Sequence, residues 1–596
     1  MYPMQSASND ARHGLALAIN DVSDLIVHYL AQLGVEYVFG VPGGAIEPIY
    51  NALARSERVG GPRAVVARHE SGAAFMADGY ARETGKPGVC IATSGPGATN
   101  MITGVATAQD NNVPLIAITG QPPLPSFGRR ALQDSACTGI NVPGMFAHCT
   151  HYNTLISHAE QADAKIVSAL LNACHSRKPS HISIPVDVQR SQVRVTPLHT
   201  LAQQARRPAL LDLGAADTLI TRLRRAQRKV FFVGAGCSDI IGPLIELAHR
   251  VSADLISTPD AKGLINPMHP RYHGVFGFAG HESAVNLLAS EPDLVVAFGV
   301  GISEWTSAGW SERLLNTRLI HVDDQSEHLL GSPMAGHHVF AHMPSLMQHL
   351  LGAFELEATT IAPMVARIGG NLARPADPPA SPVAPVPPSA LMRFLSRQCP
   401  PQARVVADAG NSTAWAINRL EIADRRGLRR SSPQAQTTNV RQGNRNWLQV
   451  LMNFAPMGWA IGAAIGLAMA DRRRPVICLT GDGSYLMNGQ EIGVALAEEL
   501  NVAYVILNDS SLGMVRHGQR LAQAESIGHK LPSTNFAAMA RAMGVRAYNI
   551  DTYAELLDFN LADALGRPGP CLIDVRIDPE EVPPITMRLA ALGTAK

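Results

Sequence analysis

Residues 476–484, with the sequence Val-Ile-Cys-Leu-Thr-Gly-Asp-Gly-Ser, decide how the rest of the chain is interpreted. The apolar run predicts a buried strand, and the Gly-Asp-Gly that follows predicts a turn. A helix is predicted over residues 491–500, and a second strand over residues 502–507 that stops at Asn508-Asp509. This order is typical of a strand–turn–helix–strand unit whose two strands are parallel.

Two carboxylates, Asp482 and Asp509, follow these two strands. The carboxyl ends of parallel strands meet at one edge of a sheet, where ligands of α/β proteins collect. Paired oxygen ligands beside a glycine turn and a helix N-terminus suit Mg²⁺ carrying a diphosphate. A lone Gly-Asp-Gly is more often an ordinary turn, so the prediction also depends on Met457 in a small-residue segment and on Glu70 at another strand end.

The N-terminal third of the chain alternates between strand and helix patterns. Glycine-rich residues 94–100 predict a turn. Helices are predicted over residues 22–33, 46–53 and 72–82, and strands over residues 37–40, 64–67, 89–93 and 115–120. Alternation of this kind predicts a mostly parallel sheet with helices on its faces.

The same alternation returns twice more along the chain. The fold class is therefore predicted as α/β, with three doubly wound parallel-sheet domains. The predicted boundaries are residues 20–190, 208–352 and 386–580, joined by a linker over residues 191–210 and by a linker rich in Pro and Ala over residues 354–389.

Composition narrows the functional class. The 596 residues include 50 basic and 49 acidic side chains, a net charge of +1, so neither a nucleic-acid partner nor a membrane surface is expected. Eight cysteines lack the short paired spacing of zinc or disulfide frameworks, and free buried thiols are expected. The first 20 residues lack the basic-then-apolar order of a signal peptide, which favours a cytoplasmic enzyme.

Six blocks of sequence resemble the acetohydroxyacid (acetolactate) synthase family of thiamine-diphosphate-dependent enzymes. They are Phe-Gly-Val-Pro-Gly-Gly at 39–44, Arg-His-Glu-Ser-Gly-Ala-Ala at 68–74, Asp-Gly-Tyr-Ala-Arg at 78–82, Thr-Ser-Gly-Pro-Gly-Ala-Thr-Asn at 93–100, Gly-Asp-Gly-Ser at 481–484 and Leu-Gly-Met-Val-Arg at 512–516. The resemblance implies pyrimidine-binding, central and diphosphate-binding domains in that order. It also implies a homodimer or homotetramer with the active site between subunits.

The resemblance further implies the roles of individual residues. Glu70 corresponds to the glutamate that hydrogen-bonds the cofactor's aminopyrimidine ring, and a carboxyl group in an apolar site can share a proton with a ring nitrogen. The alternative for Glu70 is a surface carboxylate paired with Arg68 or His69.

Gln133 matches a glutamine near the reacting carbonyl. Mg²⁺ would be held by Asp482, Asp509 and a backbone carbonyl near Ser511. The remaining cofactor contacts implied are Asn411, Ala455, Met457, Gly481, Gly483, Ser484, Gly513 and Met514.

Several departures from the family pattern bear on the substrate and on FAD. Asp509 stands where most relatives have Asn, and Gly518 stands where a Trp commonly narrows the site around the acceptor. Leu132 replaces a Phe. The family's Arg in a Gly-Ala-Arg segment is Gly301, so the resemblance leaves FAD binding open. The implied substrate pocket contains Gly43, Leu132, Gln133 and Gly518.

These patterns favour one function over two alternatives. The favoured function is decarboxylation of a 2-oxo acid, with pyruvate as the expected donor, and carboligation of the acyl anion to a carbonyl acceptor larger than pyruvate. One alternative is a simple decarboxylase that releases aldehyde. The other is a non-catalytic relative, which loss of Glu70 or of the metal ligands would indicate; all of these residues are present.

Overall fold

The computed structural model describes residues 19–193, 197–354, 372, 381–422 and 446–585. The tail after Pro583 lies largely outside these ranges, as does most of the predicted linker over residues 354–389. The chain divides into two compact units, residues 1–207 and residues 208–596. This division falls inside the predicted linker over residues 191–210, which nevertheless contains a short helix, Leu201–Gln204.

The first unit contains one sheet of six strands in the order β2-β1-β3-β4-β6-β5, with every pair parallel. The strands are β1 Tyr37–Gly40, β2 Arg63–Val66, β3 Gly88–Ala92, β4 Leu115–Gln121, β5 Tyr152–Leu155 and β6 Ser180–Pro185. The helices are α1 Val22–Gln32, α2 Glu47–Glu57, α3 Glu70–Thr84, α4 Pro96–Asn100, α5 Ile102–Asp110, α6 Val142–Ala147, α7 Ala159–Ser176, α8 Val186–Gln189 and α9 Leu201–Gln204.

The second unit begins with the central domain, whose six parallel strands have the order β12-β11-β10-β7-β8-β9. The strands are β7 Lys229–Val233, β8 Asp254–Ser257, β9 Tyr272–Val275, β10 Leu294–Phe298, β11 Leu319–Asp323 and β12 His337–Phe340. The helices are α10 Leu213–Arg225, α11 Ile241–Arg250, α12 Glu282–Ala289, α13 Ser326–Leu329 and α14 Met343–Ala353.

The C-terminal domain belongs to the same unit, and its six parallel strands have the order β14-β13-β15-β16-β18-β17. The strands are β13 Arg404–Ala407, β14 Leu448–Gln449, β15 Val476–Gly481, β16 Val502–Asn508, β17 Arg546–Ile550 and β18 Cys571–Arg576. The helices are α15 Pro388–Gln398, α16 Asn411–Arg419, α17 Trp459–Ala470, α18 Asp482–Asn488, α19 Ile492–Ala497, α20 Gly513–Leu521, α21 Phe536–Ala542, α22 Tyr553–Asp558 and α23 Leu561–Gly566.

The predicted α/β class and the three parallel-sheet domains are confirmed. Strands β15 and β16 are buried along almost their whole length, as expected for parallel strands covered by helices on both faces. Helix α17 is apolar on all sides because it packs inside the domain, where eleven of its twelve residues are buried.

Three local predictions are wrong. The predicted Gly-Asp-Gly turn is the start of α18, because Gly481 ends β15 and Asp482 already has helical geometry. The predicted helix over residues 491–500 is shorter, Ile492–Ala497. The predicted turn over residues 94–100 contains α4, since Pro96 begins a helix without needing its missing N–H.

All eight cysteines are free thiols and six are buried, whereas Cys137 is exposed and Cys174 is half-buried. Within the described ranges, no helix combines the length and the apolar content that a bilayer span needs.

Candidate active site

Asp482 lies at the carboxyl end of β15 and is the first residue of α18. Its side chain is 3% exposed, and Oδ1 accepts a 2.7 Å hydrogen bond from the N–H of Gly483. Oδ2 accepts a 3.1 Å hydrogen bond from the N–H of Ser511, which follows the neighbouring strand β16. Burial raises the pKa of Asp482 to about 6, against the lowering effect of these backbone hydrogen bonds. The carboxylate is therefore held in a fixed orientation at the sheet edge.

Asp509 directly follows β16, the parallel neighbour of β15. Burial, and then the charge of Asp482, raise the pKa of Asp509 to about 7, while Arg516 acts in the opposite direction. Two partly desolvated carboxylates repel each other, and a divalent cation that both ligate offsets this repulsion. The structure thus brings together the two residues that the sequence predicts as metal ligands.

Asn411 begins α16 at the carboxyl end of β13. A Cβ atom placed on Gly513 would lie 2.7 Å from Asn411 Nδ2 and 3.0 Å from Asp509 Oδ2, so the two side chains meet around this glycine. Asn411 Oδ1 is buried without a hydrogen-bond partner among the described residues. A buried, unpaired acceptor on the residue that meets Asp509 fits a cation or its bound water, so these residues fit Mg²⁺ with a diphosphate.

Met457 packs against the start of α18. A Cβ atom on Gly483 would lie 2.6 Å from Leu512 Cδ2 and 3.3 Å from Met457 Cε, so only glycine leaves room for both side chains. The other predicted cofactor contacts lie on the same elements. Ala455 and Met457 are half-buried before α17, Gly481 caps α18, Ser484 is buried in its first turn, and Gly513 and Met514 begin α20.

Glu70 is the first residue of α3 in the first unit, and it is 9% exposed. Asn100 Nδ2 donates a 3.0 Å hydrogen bond to Glu70 Oε2. A Cβ atom on Gly97 would lie 3.2 Å from Glu70 Oε1, so this glycine leaves space beside the second oxygen. The alternative prediction of a surface carboxylate is wrong, because Glu70 is buried at the sheet edge.

Gln133 and Leu132 lie in an exposed loop after β4, and Leu132 is 88% exposed. Gln133 has a left-handed backbone, with φ of 58°, which is uncommon for a residue with a side chain. A Cβ atom on Gly95 would lie 2.9 Å from Gln133 Cβ. Gln133 is therefore placed against the glycine turn that follows β3.

A buried hydrogen-bond network beneath this loop was not predicted. Ser135 Oγ donates to Gln121 Oε1 at 2.9 Å and accepts from the N–H of Gly95 at 3.1 Å. Gln121 Nε2 donates to Ser135 O and to Ser183 Oγ, both at 3.1 Å. The network ties the loop containing Gln133 to the ends of β3, β4 and β6.

The two remaining pocket residues lie in different units. Gly43 follows β1, and a Cβ atom there would lie 2.6 Å from Thr93 Cβ. Gly518 lies in α20, and a Cβ atom there would have no neighbouring atom within 4 Å. A larger side chain at 518 would therefore find open space.

Three family models match the chain. They are the N-terminal TPP-binding domain of thiamine pyrophosphate enzymes over residues 20–139, their central domain over residues 216–350 and their C-terminal TPP-binding domain over residues 431–575. Thiamine pyrophosphate is another name for thiamine diphosphate. The matches follow the order of the three sheets.

Curated relatives extend the match over nearly the whole chain. The large subunit of acetolactate synthase isozyme 1 from Escherichia coli is 31% identical over 94% of both chains. The chain belongs to the acetolactate synthase family. It is thus a thiamine-diphosphate-dependent, acetolactate-synthase-like carboligase. The acetolactate synthase large subunit of Parasynechococcus marenigrum is 32% identical over 92% of this chain and 86% of its own.

Two positions in the central domain of this chain bear on FAD binding, which the family resemblance leaves open. Gly301 provides no cation, and a Cβ atom there would lie 3.4 Å from Nε2 of His328. Asp323 belongs to the His-Val-Asp-Asp block at 321–324, which resembles an FAD-binding block of the family. Its Oδ1 accepts a hydrogen bond from the N–H of Gln325 at 2.8 Å, and its Oδ2 lies 2.9 Å from His328 Nδ1.

Proposed function

We propose that the protein decarboxylates a 2-oxo acid, with pyruvate as the expected donor, and joins the acyl group to a second carbonyl compound. The observation that carries this proposal is the presence of Glu70, Asp482 and Asp509 at strand ends, each at least partly buried. Glu70 and Asp482 match carboxylates of the family pattern, Asp509 supplies a carboxylate where most relatives have Asn, and the curated relatives are named acetolactate synthases.

Thiamine diphosphate, when bound, supplies the carbanion at C2 and the electron sink for loss of CO₂. In the proposal, Asp482, Asp509 and the carbonyl near Ser511 hold Mg²⁺. Asn411 and the first-turn N–H groups of α18 bind the diphosphate, where the positive end of a helix favours an anion. Met457, which lies beside Gly483 at the start of α18, supports the bound cofactor.

Glu70 holds the proton that the cofactor's aminopyrimidine ring exchanges. Asn100 fixes one carboxyl oxygen and so aims the other toward the open side next to Gly97. Gln133 orients the reacting carbonyl. We propose a cytoplasmic homodimer or homotetramer in which Glu70 of one subunit meets Asp482 and Asp509 of another.

The acceptor site is proposed to be wider than in relatives with Trp at the position of Gly518. The open space at Gly518 supports this proposal, because a Cβ atom there would have no neighbouring atom within 4 Å. The expected acceptor is therefore a carbonyl compound larger than pyruvate.

Product analysis tests the proposal. Purified protein is incubated with pyruvate, thiamine diphosphate and Mg²⁺, with and without a series of aldehydes and 2-oxo acids as acceptors. A 2-hydroxy ketone that contains the acceptor supports carboligation. Aldehyde as the only product under all conditions would identify a simple decarboxylase, and no turnover of any 2-oxo acid would identify a non-catalytic relative.

A further inference from the structure

Asp408 is a fully buried carboxylate that directly follows β13. Oδ2 accepts hydrogen bonds from Thr480 Oγ1 at 2.8 Å and from the N–H of Gly458 at 2.9 Å. Oδ1 accepts from the N–H groups of Ala409 at 3.1 Å and Ala460 at 3.3 Å. Four donors from three separate chain segments thus converge on one side chain.

These segments are the ones that present the cofactor contacts. Thr480 lies in β15, two residues before Asp482. Gly458 follows Met457 and has φ of 87°, a left-handed conformation that favours glycine. Asn411 lies three residues after Asp408, at the start of α16. One carboxylate therefore connects the metal-binding strand end, the segment containing Met457 and the helix containing Asn411.

The position of Asp408 in the sheet strengthens this connection. The chain leaves β13 to form β14 on one side and then returns to form β15 on the other, so β13 and β15 flank a topological switch point. Doubly wound sheets bind their ligands at such points. The hydrogen bond between Asp408 and Thr480 crosses the switch point directly.

A carboxylate at this position is energetically costly, and that cost points to a role beyond packing. Burial raises the pKa of Asp408 to about 6, against the hydrogen bonds that favour the charged form. All four groups around it are donors, so only an acceptor with two oxygens satisfies them. An amide would direct its own N–H groups at a donor such as the N–H of Gly458.

We propose that Asp408 is a positioning residue for the cofactor. The inference rests on the proposed function. Asp408 fixes the segment containing Met457 and Gly458 against the ends of β13 and β15, and so positions Met457, which would support the bound cofactor. As a positioning residue, Asp408 would act through Met457 and would touch neither the cofactor nor the substrate.

The test compares wild-type enzyme with Asp408→Asn, Thr480→Val and the control Thr480→Ser, all as full-length protein. Calorimetry measures the Kd for thiamine diphosphate in the presence of Mg²⁺. Acid-quenched proton NMR measures exchange of the C2 proton at saturating cofactor. Circular dichroism of the cofactor-free protein reports folding.

At saturating cofactor, Asp408→Asn should slow C2-proton exchange by at least about tenfold, because a small misplacement of reacting groups is costly. Thr480→Val should slow it less, and Thr480→Ser should match wild type because it keeps the hydroxyl. If Asp408→Asn does not fold, the C2-proton exchange rate and the Kd of Thr480→Val test the positioning role instead.

Two results contradict different claims. The positioning role alone would be overturned if folded Asp408→Asn had wild-type exchange rates and Kd values. If Asp408→Asn does not fold, the same result in Thr480→Val would overturn it. Failure of the wild-type protein to bind thiamine diphosphate would overturn the proposed function, and the positioning role with it.

Discussion

Asn100 Nδ2 donates a 3.0 Å hydrogen bond to Oε2 of the buried Glu70 carboxylate. Glu70 is the first residue of α3, and Asn100 is the last residue of α4. The contact fixes one carboxyl oxygen, while Gly97 leaves room beside the other. Glu70 is thereby held in one orientation before any ligand arrives, which is what proton transfer to a positioned ring requires.

Glu70→Gln should reduce turnover and C2-proton exchange by about 100-fold or more, since positioned acid–base groups typically contribute that much. The amide has nearly the same size and can still accept from Asn100, so the fold should remain intact. Steady-state kinetics and NMR exchange measure the effect, and circular dichroism controls for folding. Exchange at the wild-type rate would contradict the role assigned to Glu70.

Gly518→Trp should shift acceptor preference toward small carbonyl compounds. The indole would enter open space in α20, so it should exclude large acceptors without disturbing the helix. The ratio of kcat/KM for a large acceptor to that for pyruvate should fall by about tenfold or more. Gly518→Ala serves as the matched control, and an unchanged ratio in the Trp variant would contradict the wider pocket.

Ser135→Ala should lower the thermal stability of the first unit and raise the KM for the donor 2-oxo acid. The change leaves the buried N–H of Gly95 and Gln121 Oε1 each without the partner they have in Ser135, which typically costs about 1–3 kcal/mol. The loop containing Gln133 should then lose its anchor. Thermal unfolding and donor kinetics measure both effects. Ser135→Thr keeps the hydroxyl and should behave as wild type; equal loss in both variants would point to side-chain volume instead.

Purified protein should lack the visible absorbance of a bound flavin. The reason is the Gly301 position without a cation, together with the engagement of Asp323 by Gln325 and His328. An absorbance spectrum, followed by release of any chromophore with acid, makes the measurement. A flavin spectrum at one equivalent per chain would show that the central domain binds FAD by other contacts.

Much of the fold follows from the sequence because buried parallel strands are continuous apolar runs. β15 and β16 are predicted to within one residue for that reason. The unpredicted strands include edge strands with polar residues, such as β5, and the buried strand β6, whose His181 is polar but satisfied by Thr119 and Asn153. Such pairing is a tertiary effect that a linear pattern does not contain.

Site residues that directly follow an apolar strand could be predicted from the sequence. Asp482 and Asp509 follow apolar strands directly, and the structure brings them together as expected. Asp408 also follows an apolar strand, so the same signal was available for it. The role proposed for it depends on donors from Gly458, Ala460 and Thr480, which lie 50 or more residues away in sequence. Ser135 was missed for the same reason.

Transfer of an acyl group to an acceptor can be followed directly with an isotopic label. Pyruvate labelled with ¹³C at C2 is supplied with thiamine diphosphate, Mg²⁺ and an unlabelled aldehyde larger than acetaldehyde, and the products are followed by ¹³C NMR. If the enzyme is a carboligase, we expect a labelled ketone carbon bonded directly to the unlabelled hydroxyl-bearing carbon of the acceptor. Label found only in free acetaldehyde would contradict it.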